Sequence, residues 1–223
     1  MKTYLLGLQR LNEVLDGVPG PLPRASAIRE LDPAALDEAA NLFDEMVGAL
    51  QKAPALPAPI REQCRLLAAE NTYAIVRSVA TRCEPPVNFA EFLAWKALAR
   101  VAGKSGSGGN KCPTCGSLPA MATLVATERG RERELSCGLC GTHWRYARIG
   151  CPYCGASDQL GVLEPDGDGS FRVDVCKSCN SYLKTYVGEE GDPLALSDWS
   201  TLHLDTACQE RGLSRPGPSL YRL

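Results

Sequence analysis

Cys112-Pro113-Thr114-Cys115-Gly116, Cys137-Gly138-Leu139-Cys140-Gly141, Cys151-Pro152-Tyr153-Cys154-Gly155 and Cys176-Lys177-Ser178-Cys179-Asn180 decide how this chain reads. Each is a Cys-x-x-Cys pair, and a shift of 39 residues carries the first two pairs onto the last two, so the region is an internal repeat. Gly130 and Gly169, Arg133 and Arg172, and Arg145 and Lys184 fall on the same offset. Two cysteines separated by two residues wrap a turn around one ion, with the amides after the first Cys aimed at its sulfur. Pro after the first ligand fixes one dihedral, and Gly after the second permits a positive φ; Asn180 is the next best residue for that conformation. Four thiolates in a tetrahedron suit zinc, or iron. The expected ligand sets are Cys112, Cys115, Cys137 and Cys140 on one ion, and Cys151, Cys154, Cys176 and Cys179 on another. Pairing within each half is preferred because the intervening segment makes one hairpin, whereas interleaved pairing would need the halves to exchange. Oxidised disulfides are the competing reading, and ferredoxin-type clusters fit poorly because their ligands come as a closer run. A purely structural role for both metals stands beside a redox one, since two short ribbons have little core without their ions.

Working outward, each half follows one plan. A β-like stretch (Met121 to Thr127, or Leu160 to Leu163) leads to a turn at Glu128 to Gly130, or at Pro165 to Gly169. A return strand follows (Glu132 to Ser136, or Phe171 to Val175), then the second Cys pair and a third strand (Trp144 to Ile149, or Tyr182 to Val187). The simplest architecture is two three-stranded ribbons in tandem, residues 111–150 and 151–190. His143 is a weak candidate ligand, because four cysteines already complete the set. Trp144 and Tyr182 are expected to pack over the sites. Cys64, Cys83 and Cys208 match no metal spacing and read as small buried hydrophobes.

Upstream, residues 1–102 read as a helical domain. Residues 2–16 form an amphipathic start. Asp32-Pro33 supplies an N-cap and a first-turn proline for a helix ending near Ala53, with Leu36, Ala40, Phe43, Val47 and Leu50 at helical spacing. A second long helix is expected from Ile60 to about Arg82, carrying Cys64, Leu67, Asn71, Ile75 and Val79 on one face. Asn88 with Glu91 makes a capping box for a shorter helix through Phe92, Trp95 and Leu98. The Gly/Ser-rich segment 103–110 reads as a mobile linker or exposed loop. Residues 191–223 hold a C-terminal helix from Ser197 to about Arg211, ended by Gly212, and an extended tail. The fold class is α+β.

Composition narrows the function. The 223 residues are 44% hydrophobic and 22% charged, ordinary for a globular protein, and 24 Lys plus Arg against 26 Asp plus Glu give a net charge of −2. Charge divides unevenly, with six cations against three carboxylates over 111–150 and three against seven over 151–190. Near-neutral ribbons make a poor nucleic-acid surface. Two histidines are too few for a hydrolase built on histidine base catalysis. No run of about 18 apolar residues occurs and the N-terminal apolar stretch breaks early, so the chain reads as soluble and cytoplasmic with no membrane insertion. Eleven Cys in such a chain favour metal ligation over disulfides.

The ordered set Cys112-Pro-Thr-Cys-Gly, Cys137-Gly-Leu-Cys-Gly-Thr-His-Trp144, Cys151-Pro-Tyr-Cys-Gly and Cys176-Lys-Ser-Cys-Asn-Ser-Tyr-Leu-Lys-Thr-Tyr186 resembles the formate dehydrogenase accessory protein FdhE family. The likeness covers the cysteine region and extends into Asp198 to Arg211, about half of the chain. It implies a cytoplasmic maturation factor with a helical N-terminal domain and two rubredoxin-like metal sites, and a partner in the catalytic subunit of a molybdenum or tungsten formate dehydrogenase. The N-terminal domain is shorter than is usual in that family. The resulting expectation is a non-enzymatic accessory factor, with no catalytic residues, holding two metal ions, iron or zinc, on a tandem four-cysteine module. The alternative is a zinc-ribbon nucleic-acid-binding protein; a thiol-disulfide oxidoreductase lacks the βαβ context its motif needs.

Overall fold

The computed structural model describes residues 2–54, 56–67, 70–106, 108–128, 130–165, 169–188 and 194–219. The chain forms two compact units, residues 1–105 and residues 106–222.

In the first unit, α1 (Lys2–Asp16), α2 (Pro33–Lys52), α3 (Ala58–Leu67), α4 (Thr72–Arg82) and α5 (Phe89–Val101) gather around α2. Local chemistry sets the ends. Asp32 caps α2 by accepting the Ala35 amide at 2.7 Å, and Asn88 caps α5 by accepting the Glu91 amide at 2.9 Å. The Glu91 carboxylate reaches back to the Val87 amide, one residue before the cap. Phe43, Met46, Leu50, Leu93, Trp95 and Leu98 are fully buried, each contributing about 1.5–3 kcal/mol by leaving water.

The single helix expected over residues 60–82 is two. Asn71 does not extend a helical face; its side chain accepts the Ala74 amide at 3.0 Å and starts α4 as an N-cap. Short polar side chains that capture a nearby amide favour a helix start over a helix interior. Replacing Asn71 by Ala should therefore destabilise the helical unit by about 1 kcal/mol, and replacement by Gly by only about a few tenths. Urea denaturation followed by helical circular dichroism checks the order of the two variants.

The second unit is built on one six-stranded sheet. Its strands are β1 (Met121–Thr127), β2 (Gly130–Ser136), β3 (His143–Tyr146), β4 (Leu160–Leu163), β5 (Phe171–Cys176) and β6 (Ser181–Tyr186). The spatial order is β3-β2-β1-β6-β5-β4. Each repeat is an antiparallel ribbon, and the two ribbons fuse where β1 pairs with β6 in parallel, Met121 opposite Lys184 and Thr123 opposite Tyr186. The ribbons are thus halves of one sheet. The turn expected at residues 165–169 lies mostly outside the described residues.

One face of the sheet packs Met121, Phe171, Val173 and Tyr182 against Leu204 and Cys208. The latter two belong to α7 (Leu202–Gln209), which follows α6 (Leu194–Ser200). The C-terminal helix expected to run from Ser197 is broken at Thr201, whose hydroxyl bonds back to the Ser197 carbonyl at 2.6 Å while its backbone leaves helical geometry. Gly212, at φ 73°, ends α7 as expected. The tail then runs beside the sheet: Ser214 exchanges backbone bonds with Asn180 and Tyr182, and Gly138 bridges to Ser219.

The Gly/Ser segment is anchored at both ends. In the first unit the Gly103 amide bonds the Ser26 carbonyl. In the second, Gly108 lies under Trp144, where a Cβ would meet the indole at 2.6 Å, and the Trp144 indole N–H donates to the Gly109 carbonyl. Among the described residues no helix is long and apolar enough to cross a membrane.

Candidate metal centres

The four knuckles arise from local geometry. Gly116, Gly141, Gly155 and Asn180 all occupy the left-handed region, at φ 75°, 72°, 80° and 50°. The Gly116, Gly141 and Gly155 amides bond the carbonyls of Cys112, Cys137 and Cys151 at 2.9–3.1 Å and close each turn. The amides of Thr114, Leu139 and Tyr153 then donate to the first sulfur of their pair, each at 3.4 Å.

The hairpins bring the pairs together. The sulfurs of Cys112, Cys115, Cys137 and Cys140 lie within 4.8 Å of one another, and so do those of Cys151, Cys154, Cys176 and Cys179. Closest approaches are 3.5 Å for Cys112–Cys140 and 3.4 Å for Cys115–Cys137; in the second group Cys151–Cys179 and Cys154–Cys176 are both 3.7 Å. These separations are far longer than a disulfide bond of about 2.05 Å, and none of the eleven cysteines forms a disulfide. A tetrahedron with metal–sulfur bonds of about 2.3 Å has edges of about 3.8 Å, so both groups are of the size that could hold one ion. The sulfurs group within each repeat.

Electrostatics point the same way. In the first group the neighbouring thiols push Cys115 and Cys137 far above the usual thiol range while holding Cys112 below it. Cys140 is held below that range as well, and ionising all four packed thiols together needs a cation between them. In the second group burial would raise Cys151, but the Cys154 and Tyr153 amides and the Ser181 hydroxyl outweigh it and lower it to about 7. Burial drives Cys179 up to about 12. The two groups also differ in access: Cys112, Cys115 and Cys137 are buried, whereas Cys154 is exposed and Cys179 half-buried.

Sequence reasoning missed two hydroxyls. Thr142 Oγ1 accepts from the Cys140 sulfur at 3.2 Å, and Ser181 Oγ lies 2.9 Å from the Cys179 sulfur. Both stand two residues after the last cysteine of their group, and the same 39-residue offset relates them. His143 is outside both groups, its Nδ1 at 3.1 Å from Ser136 Oγ. Tyr182 packs into the helix-covered face of the sheet and donates to Asp205 at 2.6 Å. Of the three remaining cysteines, Cys64 and Cys208 are buried, and burial pushes Cys64 up to about 11, where it is inert. Cys83 is half-buried at the C-cap of α4 with φ 50°, a position that the expectation of simple burial did not include.

In a second set of residues the sequence showed only the repeat offset of Arg133 with Arg172 and of Lys184 with Arg145, not their ionic partners. Arg133 of β2 and Arg172 of β5, equivalent in the repeat, meet on one carboxylate, at 3.2 and 2.9 Å from the two oxygens of Asp174. Lys184 is wholly buried between Asp198 at 2.7 Å and Asp205 at 2.8 Å, and Arg215 from the tail pairs with Asp198 as well.

A helical unit followed by one sheet carrying two four-thiol groups defines a protein with two candidate thiolate metal centres. Residues 111–148 match the family model for the FdhE central domain. A protein FdhE homolog from Pseudomonas aeruginosa is 39% identical over 121 residues, and one from Rhizobium meliloti is 27% identical over 96% of this chain and 80% of that protein. The crystal structure of the FdhE protein from Pseudomonas aeruginosa shares the fold over 97% of this chain and 87% of that chain, with a TM-score of 0.64 at 24% identity. The chain is thus similar to FdhE proteins in its fold and, in sequence, over its cysteine region. The aligned part spans 49% of this chain but only 38% of the Pseudomonas aeruginosa relative.

Proposed function

We propose that this chain is a non-enzymatic, cytoplasmic accessory factor in the maturation of a formate dehydrogenase, and that it binds the catalytic subunit through the unit that carries the sheet. The observation behind the reading is the pair of four-cysteine groups, each of tetrahedral size, in a chain similar to FdhE proteins. The eight cysteines are the proposed ligands of two ions, iron or zinc. A bound ion would cross-link two knuckles and, if iron, could exchange one electron. The chain's own part is to hold four sulfurs in place, to stabilise their charge through the N–H donors of the knuckles, and to bury most of the first group. The exposed Cys154 leaves the second group open to solvent or to a partner.

Metal analysis after anaerobic purification should find two ions per chain. Cys115→Ser should empty the first site and spare the second; loss of both ions, or of neither, would contradict the assignment. Cells carrying Cys151→Ser together with Cys154→Ser should still make the formate dehydrogenase polypeptide but oxidise little formate. Pull-down with the catalytic subunit then separates two roles. Lost binding marks a structural metal, and retained binding with lost activity marks redox chemistry. Normal formate oxidation in a strain lacking this protein and any paralogue would sink the accessory-factor reading.

A further inference from the structure

The two repeats join head to tail, which leaves the sheet open. β1 and β4 are equivalent in the repeat, as are β3 and β6. The outer edge of β1 is filled, in parallel, by β6. The corresponding edge of β4 has no strand on it: among the described residues β4 pairs only with β5. An uncovered edge with apolar side chains is a template for strand addition unless charge, bulge or cover blocks it. Here Leu160, Val162 and Leu163 are all partly exposed, Val162 at 49%, and Ile149 beside them is 70% exposed.

Next to this edge lies a cavity of about 240 Å³, lined by Leu160 and Val162 together with Arg133, Arg148, Arg172 and Asp174. Three arginines and a single carboxylate are among the residues that line it. Asp174 is already shared by Arg133 and Arg172 and also accepts the Thr185 hydroxyl at 2.7 Å. Arg133 is only 4% exposed, and its Nε has no hydrogen-bond partner. Buried guanidinium charge that shares a single carboxylate favours a further anionic group beside it.

We infer that the β4 edge and this cavity form a docking site for an extended segment of the partner polypeptide. That segment adds to the sheet as β6 adds to β1, and it places an acidic side chain among the three arginines. Main-chain bonds supply affinity in this mode, and side-chain pockets supply selectivity. The inference rests on the reading that the catalytic subunit of a formate dehydrogenase is the partner, and it specifies the surface used.

The test measures binding of that catalytic subunit, from the same organism, to the full metal-loaded chain and to four single variants. Val162→Lys puts a charge on the edge, Ile149→Asp removes the flanking apolar contact, and Arg148→Glu reverses an exposed cation of the cavity. Leu22→Asp, at a residue 90% exposed in the helical unit, is the control. Each of the first three should weaken binding about ten-fold or more, with metal content and circular dichroism unchanged; the control should bind like the unaltered chain. Amide exchange at residues 160–163 should slow in the complex. Unaltered affinity in all three variants overturns the docking site and leaves the partner reading standing. Weakened binding without slowed exchange at 160–163 overturns strand addition. Dimerisation of the free chain that Val162→Lys abolishes makes a second copy the occupant and also overturns the proposal. No binding by the unaltered chain overturns the partner reading, and this inference with it.

Discussion

Removing bound metal should unfold the sheet of residues 106–222 and leave the helices of residues 1–105 folded. The shared cluster of the second unit contains few large side chains, Phe171 and Tyr182 among them, for six strands and two short helices. Structural zinc in small cysteine-rich modules contributes about 10–16 kcal/mol at neutral pH, as much as the whole stability of an ordinary domain, about 5–15 kcal/mol. Two such cross-links would therefore dominate the stability of this unit. The helical unit has its own core in Phe43, Met46, Leu50 and Trp95 and should keep its cooperative transition. Amide exchange after anaerobic treatment with a thiol-competing mercurial or a strong chelator reads both units at once. Protection should vanish in β1, β2, β5 and β6 and persist in α2 and α5. Sheet protection surviving full metal loss would mean that the apolar cluster and the buried ion pairs suffice.

A second large effect is expected at Lys184. Its ammonium group is fully buried, 2.7 Å from Asp198, 2.8 Å from Asp205 and 2.8 Å from the Asp198 carbonyl. Lys184→Met would leave two buried carboxylates to share Arg215 alone. Removing one partner of such a buried network costs about 3–5 kcal/mol, because a charge is left without compensation. The repeat supplies its own control. Arg145 is the equivalent residue in the first half, yet its side chain is 76% exposed and it meets Glu132 at the surface, so Arg145→Met should cost at most about 1 kcal/mol. Urea denaturation of both variants checks the contrast.

Acid should expose the same network. Burial opposes ionisation of Asp198, but Arg215 and Lys184 outweigh it and hold the carboxyl well below its usual range. A carboxylate depressed in the folded state stabilises fully above its unfolded pKa, about 3.9, and loses that contribution as the pH falls toward the folded value. Without Lys184 the depression shrinks. The part of the acid limb due to Asp198 should then still begin near the unfolded pKa, but be smaller and end at a higher pH in Lys184→Met than in the unaltered chain.

Particular residues show how far the sequence could be read. Gly116, Gly141, Gly155 and Asn180 announced their positive φ, because only a few residue types tolerate it, and the four knuckles followed. The caps at Asp32 and Asn88 were equally legible. Asn71 was legible too, but helical periodicity on either side of it disguised a break, since a cap and a polar face residue look alike in a pattern of apolar spacing. Thr142 and Ser181 carried the repeat offset and could have been found from it.

By itself, the sequence determined what short-range chemistry decides: the eight candidate ligands and their turns, the six strands, most helix ends and the resemblance to FdhE proteins. Dihedral preferences and spacings within a hairpin act over a few residues and are written where they act. Only the tertiary structure decided that β1 pairs with β6, which makes one sheet of two ribbons. It also decided that Lys184 is buried while its repeat equivalent Arg145 is exposed, and that Arg133 and Arg172 converge on Asp174. Those outcomes depend on which strand edge meets which, and on where two helices and a tail come to cover the sheet. Identical repeat positions then acquire different surroundings, and no local pattern records the difference.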